Sequence, residues 1–295
     1  MSGQLKEVRL RIQSVTSTQQ ITKAMKMVSA AKLRRAQDAI LQMRPYARKL
    51  QDMLSNIVSS ISGDMELPLA EEREPERILF IPITSDRGTC GAYNSNIIKL
   101  TRQTIAARYP KQSANGGITI LPIGKKGYEF FAKHDFKVVA DYFNIFSDLN
   151  FDNIKRVAEY AQKAFLNKEY DRVEIVYSQF KNAATQEFVV EPYLPIPKVE
   201  NEAEHQQNSD FLFEPSKEVL LEELMPKILN TQVFKAVLDA NASEHGARMT
   251  AMDKATENAN EILRDLKISY NRARQAAITT ELTEIVSGAA ALAVA

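Results

Sequence analysis

Two terminal stretches of seven-residue apolar periodicity, each far too long to wrap a compact domain, constrain this chain more than any motif. Within residues 3–61, Leu5, Val8, Ile12 and Val15 recur at steps of three, four and three. Ile21, Met25 and Val28 continue the stripe after a phase slip. Ala36, Ile40, Met43, Ala47, Leu50, Leu54, Ile57 and Ile61 then alternate fours and threes, the two-position seam of a coiled coil. Pro45 predicts a kink in this helix, and Gly63 and Pro68 end the pattern. Helical periodicity returns from residue 216 to about 290. Ser216 stands as its N-cap, and Pro226 is expected to bend the first turns. Met252, Ala255, Ala259, Ile262, Leu266, Ala273 and Ala276 form its seam, with Ser269 in a polar gap. Such helices would measure roughly 90 and 110 Å. A body of about 120 residues has a radius of gyration near 14 Å. The helices are therefore expected to leave that body as an antiparallel pair, with Leu50, Leu54 and Ile57 near its base, facing the start of the C-terminal helix. From a level foot the C-terminal helix overshoots by about 15 residues, on the order of 22 Å. Residues 276–295, where the overshoot falls, contain no Lys or Arg and only Glu281 and Glu284 as charges. A slim, mostly neutral tip of this kind suits an apolar sleeve.

Between the two helices the periodicity changes. Residues 77–84 (RILFIPIT), 118–123, 137–142, 172–178 and 187–193 read as strands. Residues 94–109, 125–134 and 151–167 read as helices. Strands alternating with helices argue for an α/β domain with a largely parallel sheet. Residues 198–216 are polar and acidic, a linker. The expected organisation is an N-terminal coiled-coil helix (1–62), a Rossmann-like α/β domain (75–197), a linker or foot (198–215) and a C-terminal coiled-coil helix (216–295).

Net charge is only +1, but residues 1–50 hold eleven Lys or Arg against Glu7 and Asp38. A basic helix seeks nucleic acid, an anionic membrane or an acidic protein, or else is a solvated face. A free-standing basic coiled coil binding nucleic acid would be expected to add stacking aromatics, and residues 1–50 hold only Tyr46. The single cysteine, Cys90, leaves no intrachain disulfide and fits a reducing compartment. No apolar run nears the roughly 20 residues that span a bilayer, and the N-terminus lacks an apolar secretory core.

Catalytic constellations are hard to find. The loop at 86–91 (DRGTCG) lies between a strand and a helix, where α/β domains often take phosphate. It matches neither G-x-x-x-x-G-K-[ST] nor G-x-G-x-x-G, so a tight structural turn is expected, with Asn94 capping the next helix and Cys90 structural. The same absence counts against a nucleotide-dependent enzyme. His134, His205 and His245 show no ligand spacing, so neither a metal nor a cofactor is expected. Arg274, Gln275 and Thr279, taken alone, read as a solvated helix face.

Two helical segments carry a family resemblance: residues 278–290 (ITTELTEIVSGAA) and residues 21–32 (ITKAMKMVSAAK). Residues 85–94 (SDRGTCGAYN), 242–252 (ASEHGARMTAM) and 270–276 (YNRARQA) add to it. Together they resemble the gamma subunit of bacterial F-type ATP synthases over essentially the whole chain. Ala92 stands where the family more often has glycine, and the 198–209 linker is individual. The resemblance implies a non-catalytic rotor shaft of a proton-driven synthase, coupling c-ring rotation to the conformational cycle of the catalytic beta subunits. Its partners would be the alpha, beta and epsilon subunits and the c-ring, with no nucleic acid. It would be peripheral at the cytoplasmic face of the bacterial inner membrane, held there through the c-ring only. The family-like pattern begins within a few residues of Met1, so no removable leader is expected. The resemblance sets Arg274, Gln275 and Thr279 against an acidic loop of beta, with Met25 near the same level. Lys23, Lys26, Lys32, Arg34 and Arg35 would face acidic lower parts of beta. Asp210, Phe211, Phe213 and Glu214 would form a foot against the c-ring and epsilon.

Overall fold

In the computed structural model, which describes residues 2–59, 68–183, 185–196 and 217–294, the apolar run after the first helix forms strand β1 (Ile78–Pro82), buried along its whole length. A strand apolar on both faces needs cover on both. The sheet order supplies it: β3 (Lys137–Val138), β2 (Ile118–Ile120), β1, β4 (Arg172–Phe180) and β5 (Gln186–Leu194). The first four are parallel, and β5 closes one edge antiparallel to β4. The expected largely parallel sheet is therefore present, with one reversed edge strand.

Side chains alternate across β1, as the period of two demands. Leu79, Ile81 and Ile83 enter one core with α5 (Phe151–Leu166) and residues 229–240 of α6 (Lys217–Val294). Ile78 and Phe80 enter the other with α2 (Tyr93–Arg108), α4 (Lys125–Phe131) and Ala247. The short α3 (Pro110–Ala114) follows α2. Asn150 caps α5 by accepting the Asn153 N–H at 2.8 Å. Gly124 has φ +98, and a Cβ there would lie 2.2 Å from the Thr84 carbonyl oxygen, so only glycine fits this turn.

The terminal helices are α1 (Ser2–Ser59) and α6, and each carries its proline, Pro45 and Pro226, without interruption. The chain divides into two units, Ala30–Arg248 and Met1–Ser29 with Met249–Ala295. The first contains the sheet and both cores. Leu33, Ala36, Ile40 and Leu50 of α1 are buried within it. The side chains of Leu54 and Ile57 and the Ser216 cap lie outside the described residues.

Candidate partner-binding surface

The second unit is an antiparallel pair of helices whose register is written in its polar contacts. Arg9 donates to the Tyr270 hydroxyl at 3.0 Å, Gln19 to the Asn260 side-chain Oδ1, and Lys26 pairs with Asp253. Ten residues from Arg9 to Gln19 answer ten from Tyr270 back to Asn260. Seven from Gln19 to Lys26 answer seven from Asn260 to Asp253. The Thr256 hydroxyl meets that of Thr22 at 2.8 Å in the same register.

The seam follows an unbroken three–four alternation. On α1 it runs through Leu5, Val8, Ile12, Val15, Gln19, Thr22, Lys26, Ser29 and Leu33. No phase slip occurs. Thr22 is 8% exposed and Ser29 2%, whereas Ile21 is 58% exposed and Val28 57%. The expected stripe of Ile21 and Val28 is therefore on the outside, and small hydroxyl residues hold the inside. On α6 the seam passes through Met252, Thr256, Ala259, Leu263, Leu266, Tyr270, Ala273 and Ala277. Leu263 replaces the expected Ile262, Tyr270 fills the presumed gap at Ser269, and Ala277 replaces Ala276. Ile262, Ile268, Ile278, Leu282, Ile285 and Val286 are exposed. Between Gln19 and Ser29 the polarity is inverted: Gln19, Thr22 and Ser29 lie on the seam, while Ile21, Met27 and Val28 face out.

The residues singled out by the sequence fall in distinct places. Lys23, Lys32, Arg34 and Arg35 are exposed, and Met25 is half-buried. Lys26 is held by Asp253 within the pair. Arg274, Gln275 and Thr279 are exposed one turn apart, the Thr279 hydroxyl donating to the Gln275 carbonyl at 3.0 Å. Met25 does not share their level. The Lys26–Asp253 pair sets Met25 beside the turn of Asp253, and Arg274 lies 21 residues farther along α6, about 30 Å away. An antiparallel register fixes level by position in the pair, which a set of contact residues does not reveal. Asp210, Phe211, Phe213 and Glu214 lie outside the described residues.

In the sheet-bearing unit, the 86–91 loop turns its polar groups inward. Ser85 donates to the Arg87 carbonyl at 2.7 Å, and Asp86 accepts the Lys125 N–H at the start of α4. Arg248 donates to the carbonyls of Arg87 and Gly88 at 3.0 and 3.2 Å and pairs with Glu244 one turn before it. Thr89 is held at φ 63, a left-handed conformation that a β-branched residue rarely takes. Asn94 does not cap α2, whose N-cap is Ala92; it bonds back to Ser85, accepting its N–H at 2.9 Å. Cys90 is buried beside it. The Glu244–Arg248 clasp was missed by sequence reasoning. Its signal was an acid and a base four residues apart among Ala242, Ser243, Gly246 and Ala247, small residues that permit close packing. Burial pushes the Glu244 carboxyl above its ordinary range, against the pull of Arg248. Burial, then the charges of Arg248 and Lys32, holds His245 down at about 4. Among the described residues, no three His, Cys, Asp or Glu side chains group as a metal set, and no helix is long and apolar enough to cross a membrane.

Comparison with known proteins bears on the whole chain. A family model described as ATP synthase matches residues 4–292. The chain is similar to the ATP synthase gamma chain of Cytophaga hutchinsonii, 51% identical over 98% of both chains. It is 48% identical to that of Chlorobaculum tepidum, again over 98% of each. Among solved structures, it resembles a chain of the Tetrahymena thermophila mitochondrial ATP synthase central stalk and c-ring, with TM-score 0.54 and 25% identity over 80% of this chain and 99% of that one. A chain of the Euglena gracilis mitochondrial ATP synthase shares the fold with TM-score 0.66 and 23% identity, over 99% of this chain and 95% of the other.

Proposed function

The chain belongs to the ATP synthase gamma-chain family, and on that premise we propose that it is the central rotor shaft of an F-type ATP synthase. It carries no catalytic site of its own and transmits c-ring rotation to the catalytic beta subunits. The observation that carries this reading is the inverted polarity of the helix pair. Ile21, Met27 and Val28 face outward from a seam that contains Thr22, Ser29 and Thr256, and Ile278, Leu282 and Ile285 are exposed on α6 beyond the last residue that the register sets against α1. Apolar side chains on an outer helix face are stabilised when another surface removes them from water. A sleeve of alpha and beta subunits would do so, while the exposed Lys23, Lys32, Arg34, Arg35 and Arg274 meet acids of beta. The Tetrahymena relative, from a structure titled central stalk and c-ring, supports the same role. Epsilon and the c-ring would bind through the foot at Asp210, Phe211, Phe213 and Glu214. The protein would then be peripheral at the cytoplasmic face of the inner membrane. Nothing in these relatives supports the nucleic-acid reading of the basic helix.

The test is reconstitution of the purified chain with purified alpha and beta subunits. One copy is expected in a stable complex with three of each, and ATP hydrolysis should depend on its presence. A complex that forms and turns over equally well without the chain would overturn the reading.

A further inference from the structure

Between Asn230 and Arg248 the sheet-bearing unit grips α6 along two lines of hydrogen bonds. Leu229, Val233, Ala236, Val237 and Ala240 form an apolar stripe that enters the core. Polar side chains flank the stripe on both sides. On one flank the Gln162 amide of α5 donates to the Asn230 side-chain oxygen at 3.0 Å, and Arg248 donates to the carbonyls of Arg87 and Gly88. On the other, Gln232 donates to the Glu191 carboxylate of β5 at 2.7 Å, and the Ser243 hydroxyl to the Ser178 carbonyl of β4 at 3.1 Å. At 3.6 residues per turn, each flank stands about 75° from the middle of the stripe. The partners are themselves held. Gln162 also donates to the Tyr193 hydroxyl at 3.1 Å, and Tyr177 donates to the second oxygen of Glu191 at 2.7 Å. All these residues belong to the unit Ala30–Arg248.

We propose that Asn230, Gln232, Ser243 and Arg248 are positioning residues that lock the azimuth of α6 in the sheet-bearing unit, so that torque passes between that unit and the helix. The inference rests on the shaft reading. Burial of the stripe is non-directional, so it holds the helix down but resists its turning only weakly. Hydrogen bonds are directional and fail within a small displacement. On a helix roughly 10 Å across, a turn of about 20° carries a flanking atom nearly 2 Å, enough to break such a bond. A turn of either sense lifts one line away from its partners, and Asn230 and Ser243 would then lose their bonds in a buried setting. α6 is one unbroken helix from Lys217 to Val294, so a twist held here is passed along its own turns.

The experiment assembles the full-length chain with alpha and beta subunits fixed to a surface. A bead is attached through Ser113→Cys, an exposed position. With rotation stalled by withholding nucleotide, the angular variance of the bead reports how firmly the rotor is held. Gln232→Leu with Ser243→Ala is expected to raise that variance by about one half, since one of two parallel restraints is cut. Asn230→Leu, which removes one bond of the other line, should raise it less. Gln232→Arg keeps a donor for Glu191 and should leave it unchanged. Val233→Ala, in the middle of the stripe, should lower the melting temperature of the purified chain without widening the variance. If the double variant melts too low to assemble, Gln232→Leu alone carries the test, because Gln232 is only half-buried. The proposal is overturned by an unchanged variance in the flank variants, or by equal widening in Val233→Ala at a matched loss of melting temperature. Failure of the shaft reading is a different result: the wild-type bead would then not rotate when ATP is added.

Discussion

The sheet-bearing unit and the helix pair handle apolar residues in opposite ways. In the first, Ile78, Leu79, Phe80 and Ile81 are fully buried, and alternate side chains feed two cores. In the second, the buried residues among those described are Thr22, Ser29, Met252, Ala259 and Leu263, while at least eight large aliphatics stand in solvent. The first unit buries most of its large hydrophobic residues internally, with Leu41, Tyr46, Phe151 and Leu166 the exposed ones among those described. The second leaves that to a surface it does not contain. The difference separates residues that hold the fold from residues that await a partner.

The largest test of this contrast is Phe80→Ala. Phe80 is fully buried and meets Tyr109 edge-on, ring centroids 5.9 Å apart. Its truncation should cost about 3–5 kcal/mol in denaturant unfolding of the purified chain. Val28→Ser, removing an equally apolar residue from the pair, should stay within about 0.5 kcal/mol in the same assay, yet weaken assembly with alpha and beta. Equal costs in the isolated chain would erase the contrast.

Next comes Arg248→Met. It leaves Glu244 buried without its partner and releases the carbonyls of Arg87 and Gly88. Breaking a buried pair on one side costs about 3 kcal/mol or more. The companion Glu244→Gln with Arg248→Met should recover much of it, because no charge is then stranded. A double variant as unstable as the single one would mean that the loop carbonyls, not the charge, set the cost.

What the sequence disclosed follows the same division. The run RILFIPIT announced a strand buried on both faces, and alternating strand and helix signals announced the parallel sheet. The seam from Ala36 to Leu50 was equally plain, because apolar periodicity and burial coincide there. Between Gln19 and Ser29 they part. Periodicity reading assumes that apolar residues turn into their own fold, so it chose Ile21 and Val28 over Thr22 and Ser29. The error at Ile262 against Leu263 has the same cause, two adjacent aliphatics of which one faces out. Asn94 was misread as a cap because its side chain bonds to Ser85, nine residues earlier, a contact that no local pattern announces. The resemblance offered the candidate surface only as a list of residues. Their layout was not legible, since the distance between Met25 and Arg274 depends on a register set by pairs some 230 to 260 residues apart in sequence.

A smaller effect is expected from pH. His245 titrates near 4 in the folded chain and near 6.5 when unfolded. Its contribution is complete above about 6.5 and is lost as pH falls toward 4, where only the unfolded chain gains the proton. With its partial exposure allowed for, this amounts to roughly 1–2 kcal/mol. Glu244, raised by burial, works in the opposite direction, losing stability as pH rises. The difference between wild type and His245→Gln therefore isolates the imidazole. Denaturation at pH 7 and pH 5 should show a smaller fall in the variant. Identical falls would assign the slope to the carboxylates.

The smallest expected change in stability is that of Arg274→Ala, and it probes the helix pair most directly. Arg274 is exposed, forms no ion pair among the described residues, and stands off the seam between Ala273 and Ala277. Alanine is the strongest helix former, so the helix tolerates it. Unfolding of the purified chain should shift by no more than about 0.5 kcal/mol. If the planar guanidinium meets an acidic loop of beta, its removal deletes a charge-assisted contact made only in the assembled motor. The complex should still form, because many other outward residues contribute, but its rates of ATP synthesis and hydrolysis should change. Arg274→Lys should restore them only in part, since an ammonium cannot reproduce the two-pronged hydrogen bonding of the fork. Unchanged rates in the assembled Arg274→Ala complex would place this arginine in solvent, and the partner surface would then rest on Ile278, Leu282 and their aliphatic neighbours alone.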